Sequence, residues 1–344
     1  MKSDAIYDDF STNARLIRDA FKRDLVEVKK ELYDLIDYYL TERLYIFPKR
    51  KFTIDSQYGI PVPYLVYWFA DAFHYEDNSV IDRLALTLMY AATFYCIRDD
   101  LVDGFVRTSN IDHREHAHIA LSNFFLSRYL RIFKGMFSEK SIFWHYLSNS
   151  LDQWWQHEYW SFSSSLLKRG NSSRYFLSKN FLIHSCKYMI GLTFPSVYAL
   201  AMKARRQKEF QSIKDFLTYY YLGNRIVDDL RDLEEDLAVK NYNHSSVINH
   251  ATTFFPDQSH ISLREIRSMF LNEDFTSLIY GTILKYYSKA RACIEPYNSQ
   301  YLTQFMNDQI EYFERKSDYY TNRQKEFVSS AINLRDNSVK QKFC

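Results

Sequence analysis

The stretch Ser79–Asp103, SVIDRLALTLMYAATFYCIRDDLVD, decides the fold. It is a long apolar run with helical spacing that closes on Asp99, Asp100 and Asp103. On a helix Asp99 and Asp103 stand four apart, on a face that carries Tyr95, Ala92 and Leu88 below them. A second stretch of the same kind is Asp215–Asp236, DFLTYYYLGNRIVDDLRDLEED. There Asp228, Asp232 and Asp236 form an i, i+4, i+8 row above Asn224, Tyr221 and Leu217. Each row caps a face that is otherwise apolar, as ligands at the mouth of a buried cavity do. Like charges stacked one turn apart destabilise a helix unless a cation sits between them. Carboxylate oxygens are hard ligands, so the natural cation is Mg²⁺, which keeps some of its waters and binds substrate phosphate as well. The two stretches therefore imply a metal-dependent enzyme acting on a diphosphate. By helix phase Asp100, Asp229, Arg231 and Glu235 point elsewhere, and ordinary surface pairing is expected of them, such as Arg231 with Glu235 at i+4.

The rest of the chain has the same periodicity. Helices are expected over about 8–45, 62–75, 79–103, 112–137, 141–167, 174–203, 207–240, 261–273, 275–292 and 297–330. The breaks fall at Pro48, Pro61 and Pro63, around Gly170, and at Pro256 and Pro296. Only 7 Gly and 6 Pro in 344 residues argue against a sandwich, a barrel or a Rossmann-type sheet. With no linker, repeat or composition shift, the expectation is a single all-α domain over 1–344, with 1–6 and 331–344 as frayed tails.

A net charge of +2 offers no global field for nucleic acid or an anionic membrane. The four cysteines, Cys96, Cys186, Cys293 and Cys344, are scattered, which reads as a reduced, cytoplasmic protein. The N-terminus is acidic and polar where a signal peptide would be apolar, and no uninterrupted apolar stretch reaches about 18 residues, so no membrane span is expected. P-loop, zinc, Ser-His-Asp and nucleic-acid signatures are absent.

On these residues the chain resembles a class I terpene synthase of the microbial type, within the all-α isoprenoid synthase fold. That family pairs a DDxxD/E motif with a second motif, (N/D)D(L/I/V)x(S/T)xxxE. Asp228-Asp229-Leu230-Arg231-Asp232 through Asp236 fits the second in order and length, with Asp232 where Ser or Thr is usual and Asp236 where Glu is usual. Both substitutes remain oxygen ligands. The resemblance implies a helical bundle around a central apolar cavity. It makes Asp99 and Asp103 ligands of the first metal sites, with Asp228, Asp232 and Asp236 holding the remaining ion. Three Mg²⁺ ions are implied, with Mn²⁺ as a substitute.

The segment between the motifs carries the resemblance further. Trp155-Gln-His-Glu158 matches a family W-x-x-E, and Lys187-Tyr-Met-Ile-Gly191 matches an Arg four residues before a Gly, with Lys in place of Arg. By that analogy Lys187 is the diphosphate sensor and Gly191 the effector. Lysine lacks arginine's bidentate fork. Independently, Pro195 lies four residues after Gly191 in an apolar helical run, so the Gly191 carbonyl loses its usual donor and its dipole can face a cation. A tolerated packing kink is the plainer reading of the same residues. Diphosphate contacts are also expected of Arg225 and of Arg315, Tyr319 and Arg323 on the last helix, whose plainer reading is a solvated face. Carbocations need π faces and no nucleophilic water, and candidate wall residues are Trp68, Phe94, Tyr95, Trp155, Tyr188, Phe194 and Tyr221.

Cyclisation of a linear C15 or C20 allylic prenyl diphosphate, with loss of diphosphate, is the implied reaction. Squalene- or phytoene-type and other prenyltransferases share the fold. The arginine-aromatic-proline follow-on of the former is missing after Asp236, and a basic site for a second diphosphate is poorly served by FPKRKF around Lys49. The extension after the second motif also departs, with Lys240 where the family has Gly. A helical scaffold with acidic surface rows is the non-enzymatic alternative. Exposed aromatic helix faces would suit a homodimer.

Overall fold

The protein is all-α, as the helical spacing predicts, and the description comes from a computed structural model. The residues described are 11–25, 28, 32, 35, 36, 39, 64–102, 114–164, 179–238, 245–254 and 261–342. Asp103, most of the helix expected over 8–45, Pro48, Lys49, Pro61, Pro63, Gly170, Lys240, Pro256 and the 1–6 tail lie outside them, as do the side chains of Glu158, Tyr188 and Glu235.

The helices are α1 Ser11–Asp24, α2 Tyr64–Phe73, α3 Asn78–Val102, α4 Arg114–Lys134, α5 Phe143–Ser164 and α6 Lys179–Lys203. They continue as α7 Phe210–Arg231, α8 Leu233–Ala238, α9 Ser246–Thr252, α10 Leu263–Met269, α11 Glu273–Ile294 and α12 Gln300–Lys342. Among the described residues there is no strand. Two expectations need correction. The helix predicted over 207–240 is divided at Asp232, and α12 runs on to Lys342, well past residue 331. After Pro296 the chain holds neither Pro nor Gly, so nothing local stops α12.

The chain forms two compact units. One comprises Met1–Glu158, Lys187–Thr218 and Arg291–Phe305. The other comprises Tyr159–Cys186, Tyr219–Ala290 and Met306–Cys344.

In the first unit α3 is the central element, packed along α4 and touching α1 and α2. Phe21 of α1 stacks on Tyr90 of α3 at 5.1 Å and on Phe125 of α4 at 5.5 Å, so aromatic rings join the three helices. The hydroxyl of Tyr67 on α2 donates to Asp82 Oδ1 at 2.5 Å, and that of Tyr90 donates to Asp24. These partners let polar groups sit against an apolar core. By length and composition alone Asn78–Leu101 could cross a membrane, but 61% of its apolar window is buried within the protein, as in a core helix. Helix α6 passes α5 so closely at Gly191 that a Cβ there would lie 2.5 Å from the Ser150 carbonyl oxygen. Only glycine permits that approach. Pro195 sits inside α6, which continues to Lys203. The left-handed residues His74 and Arg205 terminate α2 and α6.

The second unit is organised around aromatic contacts between α7, α11 and α12. Tyr220 and Tyr287 stack at 5.6 Å, and Phe313 meets Tyr287 edge-on at 5.7 Å. Gly223 makes room for this, since a Cβ there would meet the Tyr287 ring at 2.6 Å. Helix α10 contacts both α8 and α9. It begins with a capping box in which Ser262 accepts from the Glu265 backbone N–H while Glu265 accepts from the Ser262 N–H at 2.7 Å.

Candidate metal centre and its surroundings

The second acidic stretch lies at the end of α7, in the second unit. Asp232 lies between α7 and α8 at a bend that does not break the hydrogen-bonded path. Its N–H donates to the Asp228 carbonyl at 2.9 Å, and the Asp236 N–H donates to the Asp232 carbonyl at 2.8 Å. Successive i, i+4 bonds therefore link the three predicted ligands.

Two arginines meet this row. Arg231 grips Asp232 with both branches of its fork, Nε to Oδ1 at 2.8 Å and Nη2 to Oδ2 at 3.0 Å, and Nη2 also donates to Asp228 Oδ1. Arg225 approaches Asp228 Oδ2 at 3.6 Å and Asp229 Oδ1 at 2.7 Å. Arg231 thus turns onto Asp228 and Asp232, and its expected pairing with Glu235 lies outside the described residues. Arg225, expected on diphosphate, stands on the aspartates.

Asp229 is also not the surface residue that helix phase suggests; it is 1% exposed. Its Oδ2 accepts from the Ser246 N–H at 2.6 Å and from the Ser246 hydroxyl. Ser246 is the first residue of α9, whose N-cap is Ser245, so a buried carboxylate takes up backbone donors at a helix start. Burial pushes Asp229 up to about 6, with Arg225 and the Ser246 donors opposing. Asp236 is pushed up to about 8, first by burial and then by the charge on Asp229, with Asp232 and Asp228 adding to it and Arg225 opposing. At both carboxylates burial outweighs the opposing arginine.

The first stretch lies at the end of α3, in the first unit. Tyr95 Oη donates to Asp99 Oδ1 at 2.8 Å, one turn along the helix. Asp100 is 3% exposed, which corrects its reading as a surface residue. Helix phase measures direction around one helix and carries no information about what covers that side.

The other predicted residues fall into separate groups. Lys187 Nζ donates to Gln156 Oε1 at 3.0 Å, which joins the sensor position to the segment just after Trp155. Gly191 sits at the α5–α6 crossing described above. Phe94 is buried against Trp154, with ring centroids 5.0 Å apart, whereas Trp155 is 57% exposed. The aromatic presented to Phe94 is thus the neighbour of the one singled out from sequence. Trp68 packs on Phe305 at 5.0 Å, Phe194 on Tyr198 and Phe210, and Tyr221 is buried with its carbonyl accepting from Cys186 Sγ. On α12 the Arg323 Nε donates to Tyr319 Oη at 3.1 Å and Arg315 lies 3.7 Å from Glu311, on an exposed face. Sequence reasoning missed Ser246, Gln156 and Trp154. Of these only Ser245-Ser246 left a signal, as cap residues ahead of VINH.

No protein-family model matches the chain, and no curated protein matches it.

The oxygen-only donor set of Asp228, Asp232 and Asp236 fits Mg²⁺ in chemistry, and a cation beside Asp236 would oppose the burial and like charges that raise its pKa. Among the described residues no group of three His, Cys, Asp or Glu stands ready to hold an ion. Asp228 and Asp232 are engaged by Arg231.

Proposed function

We propose that the chain ionises and cyclises a linear C15 or C20 allylic prenyl diphosphate in a Mg²⁺-dependent reaction that releases diphosphate. The observation that carries this reading is the Asp228–Asp232–Asp236 row, whose carboxylates draw in a neighbouring guanidinium. Such a row has a built-in demand for positive charge. The motif resemblance supplies the reaction class.

In this proposal Asp228, Asp232 and Asp236 hold one ion, while Asp99 and Asp103 hold others. When bound, Mg²⁺ supplies Lewis-acid stabilisation of the leaving group and a template for its oxygens. The protein's own groups do the rest. Asp228 and Asp232, which Arg231 meets here, would hold the ion together with Asp236 as their oxygen partners. Arg225 stays beside the row through buried Asp229, with its charge available to diphosphate oxygens. Lys187 exchanges Gln156 for a diphosphate oxygen. Buried rings such as Phe94, Phe194 and Tyr221 offer π faces and exclude water while the allylic cation lasts.

One observation favours a second reading, a helical scaffold: the bidentate Arg231–Asp232 contact and the Arg225–Asp229–Ser246 anchor satisfy much of the acidic stretch internally. The deciding experiment is incubation with C10, C15 and C20 allylic diphosphates, reading magnesium-dependent pyrophosphate release and product mass. A cyclic hydrocarbon or alcohol of substrate chain length supports the cyclase, and a product of two joined chains points to a prenyltransferase. No turnover by folded protein favours the scaffold. Lys187→Ala should raise KM severalfold and Lys187→Arg should be tolerated; an inactive Arg variant would argue against the sensor role.

A further inference from the structure

The net charge of +2 is unevenly spread, and one end of the first unit is strongly basic. Lys203, the last residue of α6, donates from Nζ to the Met136 carbonyl at 2.9 Å and stands 4.9 Å from the centroid of the Phe137 ring. That contact joins the end of α6 to the turn after α4. Arg131 and Lys134 are exposed in the last turn of α4. Arg83 of α3 reaches the same turn, since a Cβ on Gly135 would lie 2.9 Å from its Nη2. Beyond Lys203 the chain exposes Arg205, Arg206 and Lys208. The Arg206 N–H returns to the Ala201 carbonyl at 2.6 Å and Arg205 is left-handed, so this segment folds back on the end of α6.

None of these exposed side chains forms an ion pair among the described residues. Glu139 and Lys140 offset each other in the turn after α4, which leaves Glu209 as the one acid of the segment between α6 and α7. Cations in the last turn of a helix answer its dipole, and that accounts for Arg131, Lys134 and Lys203. Arg206 and Lys208 stand just before the start of α7, and Arg83 in the second turn of α3, where the dipole offers a cation nothing. Among these cations Ile142 protrudes from the connection between α4 and α5, 56% exposed. The rings beneath are occupied with one another: Phe137 stacks on Phe143 at 4.2 Å, and Tyr146 packs on Tyr198 and Phe210.

We propose that this end of the first unit docks on an anionic membrane surface, its cations against the headgroups and Ile142 entering the headgroup layer. The inference is independent of the reaction proposed above. Unpaired like charges held close together repel, and a surface of opposite charge relieves that repulsion. An apolar side chain among the cations suits a lipid layer, which gains from both. A nucleic-acid single strand would need exposed aromatic faces for its bases, and here the rings are packed. Each cation within a Debye length of an anionic surface multiplies the partition coefficient about fivefold.

The test is co-sedimentation of the full chain with vesicles of phosphatidylcholine alone and of phosphatidylcholine with about 30 mol% phosphatidylserine, at about 0.1 M and about 0.5 M salt. Wild-type protein should partition onto the anionic vesicles at least about tenfold more than onto neutral ones, and the higher salt should release it. Joint replacement Arg205→Gln, Arg206→Gln and Lys208→Gln should lower anionic partitioning about a hundredfold. Joint replacement Arg264→Gln, Lys285→Gln and Lys325→Gln removes the same charge from exposed positions of the second unit and should leave it within about twofold of wild type. Ile142→Ser should lower it severalfold with the salt dependence unchanged. Thermal melting establishes that each variant folds. Wild-type protein that binds both kinds of vesicle alike, or neither, overturns the proposal. Equal losses in the two triple variants overturn it as well, because the attraction would then follow total charge. Tighter binding to a single-stranded oligonucleotide than to anionic vesicles at the same salt assigns the surface to nucleic acid and overturns the membrane reading.

Discussion

At the end of α3, Asp99 is met by a neutral phenol from the same helix, whereas at the end of α7, Asp228 and Asp232 are met by the charged fork of Arg231. Beside each lies a buried aspartate, Asp100 in the first stretch and Asp229 in the second, and the second is tied to the start of α9 through Ser246. Similar strings of letters therefore reach different electrostatic solutions. The phenol adds no charge at Asp99, whereas Arg231 offsets part of the charge of Asp228 and Asp232. This teaches that an acidic motif has two separable components, carboxylates left partly exposed at the helix end and buried carboxylates such as Asp229, which ties α7 to the start of α9.

The largest effect that would sharpen this contrast is on turnover. Asp99→Ala and Asp232→Ala should each lower pyrophosphate release at least about a thousandfold, or about 4 kcal/mol in activation free energy, with helix content unchanged by circular dichroism. Retention of activity in both would sink the metal assignment.

Stability should separate the two roles next. Asp229→Ala leaves Arg225 beside a vacated carboxylate position and strips the Ser246 donors of their acceptor, so about 3–5 kcal/mol should be lost in urea unfolding. Asp99→Ala, which removes the acceptor of the Tyr95 phenol at the partly exposed end of α3, should cost about 1 kcal/mol. Equal costs would break the distinction between partly exposed and buried aspartates.

A pH effect should follow from the α7 stretch. A carboxylate whose folded pKa lies above its ordinary 3.8 binds its proton more tightly in the folded state. Its contribution is complete below that ordinary value and is lost as pH rises through the folded value, about 6 for Asp229 and about 8 for Asp236. Burial is the largest cause of the Asp236 shift, with Asp229, Asp232 and Asp228 adding to it and Arg225 opposing it. Metal-free protein should therefore lose Tm between about pH 4 and about pH 8, and Asp236→Asn should flatten that decline. An unchanged slope in the variant would place the pH dependence elsewhere.

The smallest effect is expected at Arg231, which is 42% exposed on its side chain. Arg231→Gln should change unfolding free energy by about 1 kcal/mol or less, since a screened surface pair contributes little. A larger loss would mean that the guanidinium is a structural clamp on the α7–α8 bend.

Much of the fold was legible because helical period and the scarcity of Pro and Gly are local properties of the chain. The α3 boundaries came within a residue or so of expectation, since Asn78-Ser79 opens a long, unbroken apolar run. The division at Asp232 was not legible, because the i→i+4 backbone bonds persist through it and the side-chain spacing is undisturbed. Asp99 beside Tyr95 and the Asp228–Asp232–Asp236 row could be placed by arithmetic alone. Trp154 could not be preferred to Trp155, since adjacent residues differ only in which one meets Phe94.

Sequence by itself determined an all-helical chain with carboxylates repeating every four residues at two helix ends, because both follow from spacing along one strand of backbone. Tertiary structure decided that Asp229 is buried beneath the start of α9, that Gly191 admits the Ser150 carbonyl, and that Gly223 admits the Tyr287 ring. Each of these depends on which element covers a given face. A side chain's direction on its own helix is set by periodicity, but its solvation and its partners belong to whatever packs against it.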